Sequence, residues 1–159
     1  MTDISFYHLT TRSLEDALPK LLELSLQSEE RALILLGNEE RMEFLNGLLW
    51  TYEPGSWLPH GTLEDGDPAD QPIFLTSRDE NLNEATFLFL VDGAVSENLT
   101  SFKRVFDLFN GRDEEAVKAA RNRWSSYKRD GHSLLYWKQD ETGRWTKTCL
   151  LYTSHAADE

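Results

Sequence analysis

Arg31-Ala32-Leu33-Ile34-Leu35-Leu36-Gly37-Asn38-Glu39-Glu40 is the stretch on which the fold turns. An unbroken apolar run closed by glycine is the pattern of a strand covered on both faces, as the strands of parallel sheets are. Asn38 then caps a helix in which Met42, Leu45, Leu48 and Leu49 form the inner face and Trp50 ends the run. Upstream, Ile4–Leu9 is a short β-prone run. Ser13-Leu14-Glu15-Asp16 opens a helix, with Ser13 as N-cap and an acid three residues on. Leu14, Leu18, Leu21, Leu22 and Leu26 form its apolar stripe, and Pro19 predicts a kink or an irregular first turn. Strand, helix, strand, helix in this order favours right-handed crossovers in a parallel sheet.

Downstream, Glu53-Pro54-Gly55 breaks the second helix. Between Gly61 and Asn98 stand nine acids and a single base, Arg78. Gly61–Asp70 reads as an exposed loop, and Pro72–Thr76 and Thr86–Val91 read as strands. Leu99, Phe102, Val105, Phe106 and Phe109 fall at helical spacing, so Leu99–Asn110 reads as helical. A long helix follows from about Asp113 to Asp130, closed by Gly131. Ser133–Lys138 is a last strand, pairing with Arg144–Thr148 around Thr142-Gly143. Residues 1–148 thus form one domain without repeat or linker. Residues 149–159 continue no pattern, and are expected to be a disordered tail or a cloning or sequence-assembly scar outside the fold.

Composition narrows the functional class. The 159 residues carry 28 acids against 16 Lys and Arg, a net charge of −12, yet are 40% hydrophobic with five tryptophans. That apolar load belongs to a folded core. No apolar run reaches the roughly 20 residues that span a bilayer, and no signal peptide is evident. The one cysteine, Cys149, fits a reducing cytoplasm. The acidic balance argues against nucleic-acid binding by the surface as a whole.

Catalytic signatures are missing. There is no GxxxxGK[ST], GxGxxG or GxSxG, and Gly37-Asn38-Glu39-Glu40 sets two acids where phosphate would need helix amides. His8, His60, His132 and His155 are scattered without metal-ligand spacing, and His60 reads as a loop or core-edge residue. Asp65, Asp67 and Asp70 lack the glycine and closing Glu of a calcium loop. Asp92-Gly93, at the usual ligand end of a parallel strand, reads as a turn without companions. No cofactor and no metal are expected.

Two features do carry chemistry. Ala116–Arg129 contains five bases and no acid. At about 100° per residue, Val117, Arg121, Trp124 and Lys128 share one face, with Ala116, Ala120 and Tyr127 on an adjacent one packed inward. An exposed Trp among bases is the composition of an interface hot spot. The second feature is Leu48–His60, where Trp50, Tyr52 and Trp57 stand among prolines that stiffen the chain for recognition.

Ile4–Tyr7, Leu49-Trp50 followed by Ser56-Trp57-Leu58-Pro59-His60, and Ala120-Arg121-Asn122-Arg123-Trp124-Ser125-Ser126-Tyr127-Lys128 followed by Gly131 resemble the bacterial DNA polymerase III chi subunit family over about Ile4–Trp137. The resemblance implies a three-layer α/β fold, a mostly parallel central sheet with helices on both faces, Rossmann-like without a nucleotide-binding loop. It also implies a noncatalytic accessory subunit of the clamp-loader assembly, the nucleotidyltransferase activity residing in other holoenzyme subunits. Such a protein links the psi subunit to the C-terminal tail of single-stranded DNA-binding protein at the cytoplasmic replisome, and contacts DNA mainly indirectly. Carried over by position, the tail site comprises Trp50, Arg121 and Trp124 with Lys128 beside them, and Trp57 faces psi or a helicase. A family basic position falls on Val117, with Lys118 as its substitute. The rival classes are a small nucleotide-dependent enzyme and a direct single-stranded DNA-binding module.

Overall fold

The computed structural model describes residues 2–10, 13–51, 60–62, 67–139, 141–142 and 145–148, with only the backbone of residues 50, 51, 60, 147 and 148. Strands β1 (Asp3–Leu9), β2 (Ala32–Leu35), β3 (His60–Gly61), β4 (Ile73–Thr76), β5 (Phe87–Val91), β6 (Arg104–Asn110), β7 (Ser133–Gln139) and β8 (Trp145–Thr148) form one sheet. Its order is β3-β4-β2-β5-β6-β1-β7-β8. Every pairing is parallel except β7 with β8.

Helices α1 (Leu14–Gln27), α2 (Glu39–Thr51) and α3 (Glu114–Arg129) complete the fold. The handedness of parallel crossovers decides where they lie. The connections through α1 and α2 step across the sheet in one direction, from β1 to β2 and on toward β3. The connection through α3 steps the opposite way, from β6 over β1 to β7. A right-handed crossover that reverses direction changes face. Accordingly Leu18, Leu22, Leu45 and Leu49 of α1 and α2 share one core with Ile34 and Phe89. Ala120, Trp124 and Tyr127 of α3 share the other with Ile4, Phe6 and Leu88. The result is the expected three-layer α/β fold.

The strand–turn–helix reading of residues 31–40 holds in detail. Ala32–Leu35 is buried throughout, and the Asn38 side chain accepts from the Arg41 amide at 2.8 Å. α1 begins after Ser13, whose carbonyl rather than hydroxyl takes the first amides. It continues through the buried Pro19. α3 ends as its glycine predicts. Gly131 has φ +86°, its amide bonds to Lys128 O, and the His132 amide bonds to Tyr127 O, a Schellman closure.

The helical reading of Leu99–Asn110 is wrong. A short 3-10 turn at Leu99–Ser101 leads into β6, where Val105, Phe106, Asp107, Leu108 and Phe109 are all buried. A strand covered on both faces has no polar period, and its one carboxylate imitated the polar side of a helix. Asp67, read as part of an exposed loop, caps the 3-10 turn Pro68–Asp70 by accepting from the Ala69 amide at 3.0 Å. The backbone of His60 pairs with Ile73 in the edge strand β3.

Candidate functional site: the flank of the third helix

α3 lies over β6 and β7, and its sequence sets which side chains reach the sheet. Ala120, Trp124 and Tyr127 are buried. Trp124 is 3% exposed, its ring edge-on to Phe6 at 5.3 Å and to Tyr136 at 6.2 Å. The expectation of an exposed hot-spot tryptophan is therefore corrected. Trp124 shares the inward face with Ala120 and Tyr127, because Phe6 and Tyr136 on the sheet leave space for a large ring there.

The bases divide about that buried stripe. Toward β6, Arg123 reaches Asp107 through two bonds of 2.7 and 2.9 Å, so one of the five bases belongs to the interior. Burial works against the Arg123 charge, and the Asp107 bonds outweigh it and hold its pKa above the ordinary value. On the other flank of the helix lie Val117, Arg121 and Lys128. Val117 packs on the core beneath α3, and the Arg121 charge reaches both His8 and Tyr136. Lys118 is exposed about 100° further round.

His8, on β1, is the residue that sequence reasoning passed over. Its Nδ1 hydrogen-bonds the Tyr136 hydroxyl and its ring packs 4.8 Å from Phe109. Burial and then Lys138 drive its pKa down to about 4; Gly111 hydrogen bonding opposes this and Arg121 adds to it. Burial lifts the Tyr136 hydroxyl to about 12, with Arg121 pulling the other way. The only sequence signal was alternation: Phe6 and His8 on β1 face the same side as Tyr136 and Lys138 on β7, in register.

Trp50 is not part of this flank. It belongs to α2, which packs on β3, β4 and α1 in the opposite layer. The helices that carry Trp50 and Trp124 lie on opposite faces of the sheet. Trp57 and residues 149–159 lie outside the described residues.

The ligand end of the sheet holds a cleft of about 280 Å³ between α1, β5 and β6. Arg41 spans it, 3.0 Å from Glu15 and 2.6 Å from Asp92. Asp92 is thus a turn residue, at φ +53°, with a companion that the sequence did not reveal. Among the described residues no His, Cys, Asp and Glu group is placed to hold a metal, and no helix is long and apolar enough to cross a membrane.

Comparison with known proteins adds the family. Residues 1–135 match the family model for the DNA polymerase III chi subunit, HolC. A curated relative, the probable DNA polymerase III subunit chi of Rickettsia prowazekii (strain Madrid E), is 29% identical over 157 residues, covering 92% of each chain.

Proposed function

The chain belongs to the DNA polymerase III chi subunit family, and we propose that it is a noncatalytic accessory subunit of the clamp-loader assembly that joins the psi subunit to the C-terminal tail of single-stranded DNA-binding protein. The observation that carries this reading is the α3 flank, where Arg121 and Lys128 share one side of the helix in a chain of net charge −12. A local positive field of this kind attracts an acidic peptide that the rest of the surface repels. Arg121 grips the terminal carboxylate as a planar two-donor fork. Trp124 acts from beneath, as packing that holds the turn carrying Arg121. Micromolar affinity, about −8 kcal/mol, suffices for a tethered contact.

Trp57 is assigned to psi or a helicase, and Trp50 is carried by α2, on the face of the sheet opposite α3. DNA is reached through these partners, in the cytoplasm.

Titration calorimetry with a short acidic peptide ending in phenylalanine tests the reading, as free acid and as amide. The free acid should bind more tightly, and Arg121→Ala should cost about 2–5 kcal/mol of that binding. Arg121→Lys should recover only part of the loss. Psi should co-purify equally well with wild type and Arg121→Ala, and less well with Trp57→Ala. Equal affinity for acid and amide would end the carboxylate-grip reading.

A further inference from the structure

α2 is apolar on more sides than the core uses. Leu45 and Leu49 are buried in the core that α2 shares with the sheet. At about 100° per residue, Phe44, Gly47 and Leu48 fall instead on one outer arc of the helix. Phe44 is 52% exposed, with the Arg41 guanidinium over its ring at 5.2 Å, and Leu48 is half-buried. Gly47 stands in mid-helix, where glycine is less stable than alanine. An added Cβ there would meet nothing within 4 Å, and its φ is not positive. Neither the backbone nor the packing of this chain calls for glycine at 47; the close passage of a second backbone does. The charge around this arc has one sign. The exposed charged residues of α1 and α2 are Asp16, Glu39, Glu40 and Glu43 against Lys20, while Arg41 is spent on Glu15 and Asp92. A second copy docked by the same face would set acid against acid, and a phosphate backbone or an anionic lipid would be repelled as well.

We propose that the outer face of α2 receives a basic amphipathic helix of a partner protein. The apolar stripe of that helix lies over Phe44 and Leu48 and passes close across Gly47. Its Lys and Arg residues meet Glu40 and Glu43, and Asp16 on the neighbouring α1, a charge match that selects against acidic partners. This face is separate from the α3 flank, which lies on the other side of the sheet, so its failure leaves the tail-binding reading untouched.

The probe is a synthetic leucine–lysine peptide of about 18 residues, long enough to hold a helix, with its leucines on one face. Its counterpart carries glutamate at every lysine. Calorimetry with the full chain at about 0.15 M salt should show binding of the lysine peptide and none of the glutamate peptide. Phe44→Ala should weaken binding about tenfold or more, the scale of a lost hot spot, with the thermal midpoint preserved because the ring is exposed. Gly47→Gln should weaken binding by a similar factor while raising the midpoint, since glutamine is the better helix former. That opposition of sign is one that a purely structural glycine would not show. Glu40→Lys with Glu43→Lys should also weaken binding, whereas Glu80→Lys with Glu97→Lys, at exposed acids of other loops, should change it by less than about twofold, as distant charges are screened. Absence of binding by the lysine peptide overturns the proposal, and so does binding that survives both Phe44→Ala and Gly47→Gln. An equal loss from the Glu80 and Glu97 pair would reduce the contact to general charge and overturn it too. Sedimentation of the chain alone should show no association through this face; self-association abolished by Phe44→Ala would give the face to a second copy instead.

Discussion

Arg123 sets its Nε and one terminal nitrogen on the two carboxylate oxygens of Asp107, at 2.7 and 2.9 Å, with the two side chains 10% and 2% exposed. Asp107 sits in the middle of the sheet, in register with Phe6 on one side and Leu90 on the other. Asp107 is almost wholly buried, and Arg123 shows only a tenth of its side chain. Removing one partner strands the other, so Arg123→Met should cost about 3–5 kcal/mol of stability. The double variant Arg123→Met, Asp107→Leu should recover most of it. Urea unfolding of the three proteins checks this, and additive losses in the double variant would contradict it.

Tyr127 presents the opposite situation. Its hydroxyl is buried without a hydrogen-bond partner among the described residues, and burial, then the nearby Asp107 carboxylate, pushes its pKa up. Tyr127→Phe removes an unsatisfied oxygen and keeps the ring that packs on Phe6. Thermal unfolding should show a midpoint unchanged or raised, a gain of up to about 1 kcal/mol. A clear loss would mean that the hydroxyl has a partner in solution.

The pH dependence of stability should carry the signature of His8. The folded pKa is near 4, against an ordinary 6.5. Between those values the unfolded chain binds more protons than the folded one, so stability is complete above about pH 6.5 and falls as the pH drops toward 4. The ring is only half-buried, and solvent screening reduces the effect to about 1–2 kcal/mol. His8→Gln should flatten the curve in that window relative to wild type. Identical curves for the two proteins would assign the acid sensitivity to carboxylates alone.

Trp124 separates folding from binding. Trp124→Ala opens a cavity between Phe6 and Tyr136 and should cost about 3–5 kcal/mol of stability. Trp124→Phe keeps most of the packing and should retain peptide affinity within a few-fold, because the indole acts beneath Arg121. Calorimetry on the phenylalanine variant decides. A tenfold loss there would show that the indole itself touches the ligand.

The Arg41 network at the strand ends is worth less. Its three side chains are 27–37% exposed, so Arg41→Ala should lower stability by no more than about 1 kcal/mol. The difference from wild type should narrow in 1 M salt, where the Debye length is about 3 Å.

Much of this architecture was legible because its signals are local. The apolar run at 32–36, the Asn38 cap and the Gly131 closure each follow from residues within a few positions of one another. β6 was not legible, since the fact that makes Asp107 tolerable inside a strand is Arg123, sixteen residues away on another element. The same distance effect hid the site. Helical periodicity groups Arg121 and Lys128 on one side of α3. The inward direction could not be read from α3 alone, because Phe6 and Tyr136 on the sheet decide it. His8 was invisible as a neighbour of Arg121 until β1 and β7 were known to pair. Trp50 was grouped with Arg121 by family resemblance, and only the reversal of crossover direction shows that they belong to different layers.

That reversal has a mechanical consequence. α2 rides over β4 and β3 near one edge of the sheet, and α3 over β6 and β7 toward the other, on the reverse side. β4 and β7 are five strand spacings apart, roughly 24 Å at about 4.8 Å each. A load held at the end of α2 and another held at α3 would pull on a continuous hydrogen-bonded slab, neither crowding the other nor needing any change of shape to pass force between them. The span between the two helices is fixed by counting strands.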